Sequence, residues 1–239
     1  MPQRLMAFFI ILLLGIVPFL AITNPPDDDG DAVEKVEFLD GIEDAHDAGE
    51  GPFIINTSAY WDSRPELAVS IAAEGNVRPE AMELARNFIS GNLTAAGGTA
   101  ATSRWDALLR SFPDGHAPTL HLEPGGQQQA NITVVLTDED HPEGKMGKTR
   151  LYAVKGIRHI LSTEVYIYSA NSAGTGHARA RASHEMGHAL GLSHSTNPES
   201  IMVSVIELRD GSVVNHMGSC EESGMAMLYV EPRIGSADC

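Results

Sequence analysis

Hydrophobic residues in this chain fall into short runs separated by Gly, Pro and acidic clusters, and the period of the runs changes along the sequence. Pro52–Trp61 is rich in β-forming residues behind a Gly-Pro step and predicts a first strand. Pro79 stands where the first turn of a helix tolerates proline. Ala81, Leu84, Ala85, Phe88 and Ile89 then recur at helical spacing, so Pro79 to about Ser90 predicts an amphipathic helix, ended by Gly91-Asn92. Thr94–Thr102, rich in Ala, Gly and Thr, reads as a loop. Trp105–Phe112 suits a short helix and Thr119–Leu122 a short strand. The clearest strand is Asn131–Thr137, an apolar run closed by Asp138-Glu139-Asp140; Lys148–Val154 and Glu164–Ser169 read as two more. Thr175 is placed to cap a helix from about Gly176 to Leu190. Its Ala178, Ala182, Met186 and Ala189 offer an apolar side, with Arg179 and Arg181 expected in solvent. Val203–Leu208, the turn Asp210-Gly211 and Ser212–Val214 suggest a hairpin. Glu221–Val230 predicts a last helix with Met225, Leu228 and Tyr229 inward.

The start of the chain does not belong to this pattern. After Arg4 the uncharged apolar run Leu5–Ile22 is followed at once by Asn24-Pro25-Pro26 and three aspartates. Such a run is a targeting segment: a signal peptide cut before Asn24, with Ala21 and Thr23 as the small residues, or a membrane anchor. Residues 24–51 are acidic and punctuated by Gly and Pro, as in a linker or short propeptide. The expected division is 1–23, 24–51 and one globular domain over 52–239, exported or membrane-anchored outside, and monomeric. The formal net charge of −16 argues against nucleic acid, whose phosphates need basic surface. Cys220 and Cys239 are the two cysteines; in an exported chain they suggest one disulfide, with two free thiols as the alternative.

Chemistry concentrates in His184–His194, HEMGHALGLSH. Four helical residues advance about 400°, so His184 and His188 share a face one turn apart. Zinc accepts imidazole nitrogen and is tetrahedral in such sites. Glu185, beside His184, can reach a water on the metal without ligating it. Gly191 accepts the left-handed conformation that ends a helix, which lets the chain turn and bring His194 back. Three protein ligands leave a fourth position for water, the mark of a catalytic rather than a structural zinc.

This stretch, with Met202 in Asn197-Pro198-Glu199-Ser200-Ile201-Met202, resembles the metzincin metalloproteases, HExxHxxGxxH followed by a methionine turn. Ser195 and the short run to Ser-Ile-Met look most like the matrixin branch. The resemblance is close over Thr175–Met202 and architectural elsewhere. It implies an α+β catalytic domain over 52–239: a mixed, mostly parallel twisted sheet, a zinc-bearing active-site helix and a C-terminal helix. It also implies an antiparallel edge strand lining the cleft, placed at about Arg150–Val154, to which an extended peptide adds. Implied too are one catalytic Zn2+ on His184, His188 and His194, protein or peptide substrates, and hydrolysis by metal-activated water with Glu185 as general base. Gly191 and Met202 then support the ligands from behind. Many matrixins hold a structural Ca2+ or second Zn2+, for which Asp138, Asp140 and His141 are the candidates. Their propeptide cysteine has no counterpart before Cys220; Asp40 is a candidate substitute. Ser204 stands where matrixins usually carry proline and where some metzincins carry a ligating tyrosine, so substrate preference is not inherited. The alternative is a zinc-binding pseudoenzyme or adhesion module without turnover, whose sign would be a lost base; Glu185 is intact.

Overall fold

A computed structural model describes residues 33–40, 52–62, 66–89, 101–112, 117–123, 130–142, 144–171, 175–206, 208–209, 212–213 and 215–239, and among these described residues local runs become eleven strands and four helices. In chain order these are β1 (Val33–Asp40), β2 (Ile54–Thr57), β3 (Glu66–Glu74), α1 (Pro79–Ile89), α2 (Ala101–Ser111), β4 (Thr119–Leu122), β5 (Ile132–Thr137), β6 (Gly147–Val154) and β7 (Ile160–Ile167). There follow α3 (Thr175–Ala189), β8 (Leu192–Ser195), β9 (Leu208–Arg209), β10 (Ser212–Val213), α4 (Ser219–Tyr229) and β11 (Ser236–Asp238).

The main sheet has the order β1-β6-β7-β5-β3-β4. Its β4, β3, β5 and β7 are mutually parallel, whereas β6 runs antiparallel to β7, and β1 antiparallel to β6. β6 shows the period of two that a half-covered strand requires: Gly147, Thr149, Leu151 and Ala153 are buried, Lys148, Arg150, Tyr152 and Val154 are not. One core joins sheet and helices, with Leu67, Val69, Ile132, Val134 and Val165 packed with Trp105, Leu109 and Met186. Trp61 and Trp105 are fully buried and still satisfied, their indole N–H groups donating to Ala189 O at 3.0 Å and Ser183 O at 2.9 Å. Both tryptophans therefore grip α3 by its backbone.

Several expectations shift. Pro52–Trp61 yields only the four residues of β2, in a separate sheet of order β11-β2-β8. Past β2 the chain turns to bridge Tyr60 to His159. α2 begins at Ala101, inside the stretch read as loop, and β7 begins at Ile160 rather than Glu164. The hairpin shrinks to the two-residue strands β9 and β10. β3 was not legible: ELAVSIAAE is rich in Ala and Glu, poor strand formers, yet Leu67–Ser70 are buried between two parallel neighbours. β6 is antiparallel as expected but is not the edge, because β1 lies outside it. β1 falls within 24–51. Cys220 and Cys239 are bonded, Cα to Cα 4.5 Å, tying α4 to the end of the chain. Among the described residues no helix is long and apolar enough to cross a membrane; Leu5–Ile22 lies outside them.

Candidate metal centre

α3 presents His184 and His188 from one face, and its ending brings the third ring. Gly191 has φ +101°, and a Cβ there would stand 1.9 Å from Ala59 O. Only glycine fits both the conformation and the approach. The carbonyls a helix leaves orphaned at this end are taken up: Ala189 O by Trp61, Leu190 O by the Tyr229 hydroxyl at 2.9 Å, and Gly191 O by Ser58 N–H at 2.9 Å. The chain then enters β8, which pairs with β2 and holds His194.

His184 Nδ1 lies 2.6 Å from Ile201 O and His188 Nδ1 lies 2.7 Å from Leu192 O. A carbonyl only accepts, so both Nδ1 atoms carry the proton and both Nε2 atoms keep a lone pair when the rings are neutral. Those Nε2 atoms face each other at 3.0 Å. One donor atom from each of His184, His188 and His194 lies within 4.8 Å of the others. Two nitrogens on a tetrahedral zinc at about 2.0–2.1 Å stand about 3.3 Å apart. Converging lone pairs with their tautomers set by backbone carbonyls fit that ion. His184 and His188 are buried and His194 is half-buried, so the cluster is open on one side.

Met202 is fully buried beneath the helix. A Cβ on Gly187 would meet its Sδ at 2.2 Å and Trp105 at 3.0 Å, so the glycine inside HEMGH lets both large side chains reach the helix backbone. The Met202 turn is held from α4. Fully buried Glu221 accepts from the Ser200 hydroxyl, from Met202 N–H at 3.3 Å and from Gly218 N–H at 2.7 Å. Ile201, whose carbonyl orients His184, lies between Ser200 and Met202.

Glu185 is buried against β6. Its Oε2 accepts the Thr149 hydroxyl, and a Cβ on Gly147 would fall 1.8 Å from its Oε1. Arg181, one turn earlier, is half-buried rather than in solvent, its guanidinium donating to Tyr168 O at 3.1 Å. Burial lowers its pKa and the Glu185 charge opposes that fall.

Residues 127–230 match the family model for matrixins, peptidase family M10. Over that segment the chain is matrixin-like. No curated protein matches it. The matrixin match supports a zinc metallopeptidase acting on protein substrates, and covers β5 to α4, including the three histidines, Glu185, Gly191 and Met202.

The other candidates are not brought into this centre. Among the described residues the three histidines are the one cluster of three His, Cys, Asp or Glu able to share an ion. Asp138 packs against Gly75, Asp140 accepts from the Ser169 hydroxyl, and His141 lies edge-on to Tyr168 at 4.9 Å. Of the histidines outside the motif, none of them assigned to a metal from the sequence save His141, His159 bonds Tyr60 and Asp62, and His216 is exposed. The Asp40 side chain and the His46, His116 and His177 side chains lie outside the described residues. Sequence reasoning missed Thr149 and Glu221. Glu221 carried one signal, its place three residues after Gly218 at a helix start, where a carboxylate reaches back to the cap N–H. Thr149 carried none.

Proposed function

We propose that this chain is an exported zinc endopeptidase that cleaves extended protein substrates, with His184, His188 and His194 as ligands and Glu185 as general base. One observation carries the proposal: two Nε2 lone pairs stand 3.0 Å apart with their Nδ1 protons committed to carbonyls, one residue from a buried carboxylate. A bound zinc would supply Lewis acidity, lowering the pKa of water toward about 7 and polarising the scissile carbonyl. Glu185 accepts the proton of the attacking water and returns it to the leaving amine. The Thr149 hydroxyl fixes one carboxylate oxygen, so the other meets the proton. Gly191 and Met202 hold the ligands' approach from behind. Residues 1–23 direct export as signal peptide or anchor, and 52–239 form the catalytic domain, to whose main sheet 24–51 add strand β1. The Cys220–Cys239 bond fits an oxidising compartment.

The test uses the full chain. Metal analysis should give one zinc per chain, lost in His188→Ala. Casein cleavage should stop with a chelator and fall at least about 100-fold in Glu185→Gln, the usual worth of a general base. Cleavage untouched by both would refute the proposal. N-terminal sequencing of the mature protein decides between cut and retained leader.

A further inference from the structure

We infer that the tip of the β6–β7 hairpin, residues 155–158 with Leu161 behind them, is a membrane-docking surface for anionic phospholipid. Its place at a membrane rests on the export reading above; the metal chemistry is not needed. Two large aliphatic side chains stand in solvent here, Ile157 at 54% and Leu161 at 39% exposure. Among the described residues Ile157 is the most exposed large hydrophobic. Single exposed aliphatics are ordinary, but these two are held out by backbone geometry. The turn is closed by Arg158 N–H on Val154 O and Val154 N–H on His159 O, both at 2.8 Å. Gly156 has φ +84° and Arg158 φ +60°, a conformation that residues other than glycine seldom adopt. From the side, Tyr60 N–H donates to Arg158 O at 3.1 Å, so the turn is pinned as well as closed. Leu161 is the extra residue of a bulge: Tyr152 pairs with Ser162 and Ala153 with Ile160, which leaves Leu161 opposite neither. A bulge re-aims the side chain that it carries.

Charge selects the occupant. The chain has 32 acidic residues against 16 Lys and Arg, yet residues 151–163 include Lys155 and Arg158 and no acid. Aliphatic groups flanked by cations suit an interface where tails lie beneath anionic headgroups. A nucleic acid would engage the cations and leave Ile157 and Leu161 in water. The path of the chain favours the same occupant. β1 enters the sheet at Val33, opposite Val154, from which the turn springs. Residues 23–32 separate Val33 from the uncharged apolar run 5–22, and ten residues span at most about 36 Å. Covalent length alone therefore keeps a membrane that holds that run within reach of the tip. Gly147, which approaches Glu185, is at the opposite end of β6, about 23 Å along the strand from Val154. Docking by the tip leaves the three histidines clear of the lipid.

The test reads the tip itself. Ile157→Trp is made in the full chain, which is reconstituted in vesicles of phosphatidylcholine mixed with phosphatidylglycerol. Trp61 and Trp105 are buried and give a constant background. Emission from the new indole should shift to the blue, and tail-brominated lipid should quench it at least about threefold more than in phosphatidylcholine alone. Lys155→Glu with Arg158→Gln, added to Ile157→Trp, should remove that difference, and high salt should reduce it. Water-like emission that brominated lipid leaves unquenched overturns the inference. Equal quenching in neutral vesicles, or in the charge variant, overturns it too, since headgroups are then not recognised. A blue emission without vesicles, in a chain that sediments as a dimer, assigns the tip to a second copy and also overturns it. If N-terminal sequencing shows the leader cut, the mature chain mixed with the same vesicles is judged by the same readings. Casein cleavage in solution should be unchanged by the tip variants, so loss of proteolysis and loss of docking are read separately. If thermal unfolding shows the charge variant unfolded, Lys155→Glu alone replaces it under the same criteria.

Discussion

The hydroxyl of Thr149 on β6 donates to Oε2 of Glu185 on α3, and both side chains are buried. Thr149→Val keeps the shape and removes the donor. A hydrogen bond to a charged acceptor is worth about 1.5–3 kcal/mol. The proposed role adds a kinetic signature: kcat should fall about tenfold with KM nearly constant, and Thr149→Ser should restore it. Loss of stability with unchanged kcat would make Thr149 merely structural.

Gly187→Ala should destabilise the protein although alanine is the better helix former by about 1 kcal/mol. The new methyl meets Met202 Sδ and Trp105, and overpacking of this kind costs about 1–3 kcal/mol. Urea unfolding measures the net change; a gain in stability would show that Met202 moves aside freely.

Glu221→Gln replaces a carboxylate that accepts from Ser200, Met202 and Gly218 with an amide that must turn donors toward donors. Hydrogen bonds to a charged group are worth about 1.5–3 kcal/mol each, and at least one is lost. Because the same turn holds Ile201 O against His184, zinc should also leave faster in competition with a chelator. Unaltered zinc release would detach Glu221 from the metal centre.

Reducing the Cys220–Cys239 bond reopens a loop of sequence separation 19, worth about 3 kcal/mol in the chain-entropy model. For a domain of this size that corresponds to a Tm roughly 6–12 °C lower. Calorimetry with and without a thiol reductant reads it directly.

Burial pushes the Tyr166 phenol up to about 12, with the Glu164 charge adding to the shift, and pushes the Tyr229 phenol higher still. Each raised value means that the folded state disfavours the phenolate. The stabilisation is whole below pH about 10, the unfolded value, and is lost as pH rises from there toward 12 at Tyr166. Urea midpoints should be flat approaching pH 10 and fall above it, less steeply in Tyr166→Phe.

Where one element carries its own period, the chain was readable. β4 matches its expected bounds, and α1, β5 and α4 lie within one or two residues of theirs. Lys148–Val154 reads as a strand, and β6 there alternates in burial because its two faces differ. β3 was missed because Ala, Ser and Glu have no strand preference of their own; the pairing of Val69 with both Leu122 and Ile132 makes the strand. β1 was hidden by an acidic segment whose partner, β6, lies more than a hundred residues away in the chain.

The sequence by itself determined the metal chemistry. Four-residue spacing on a helix, a glycine able to turn left-handed and a third histidine three residues beyond are local backbone geometry, written within eleven consecutive residues. Tertiary structure alone decided what surrounds it. Thr149 reaches Glu185 across 36 residues and Glu221 reaches Met202 across 19, while β1 lies along β6. No local period encodes such contacts, because they exist only once sheet and helices have packed and each buried donor has found its acceptor.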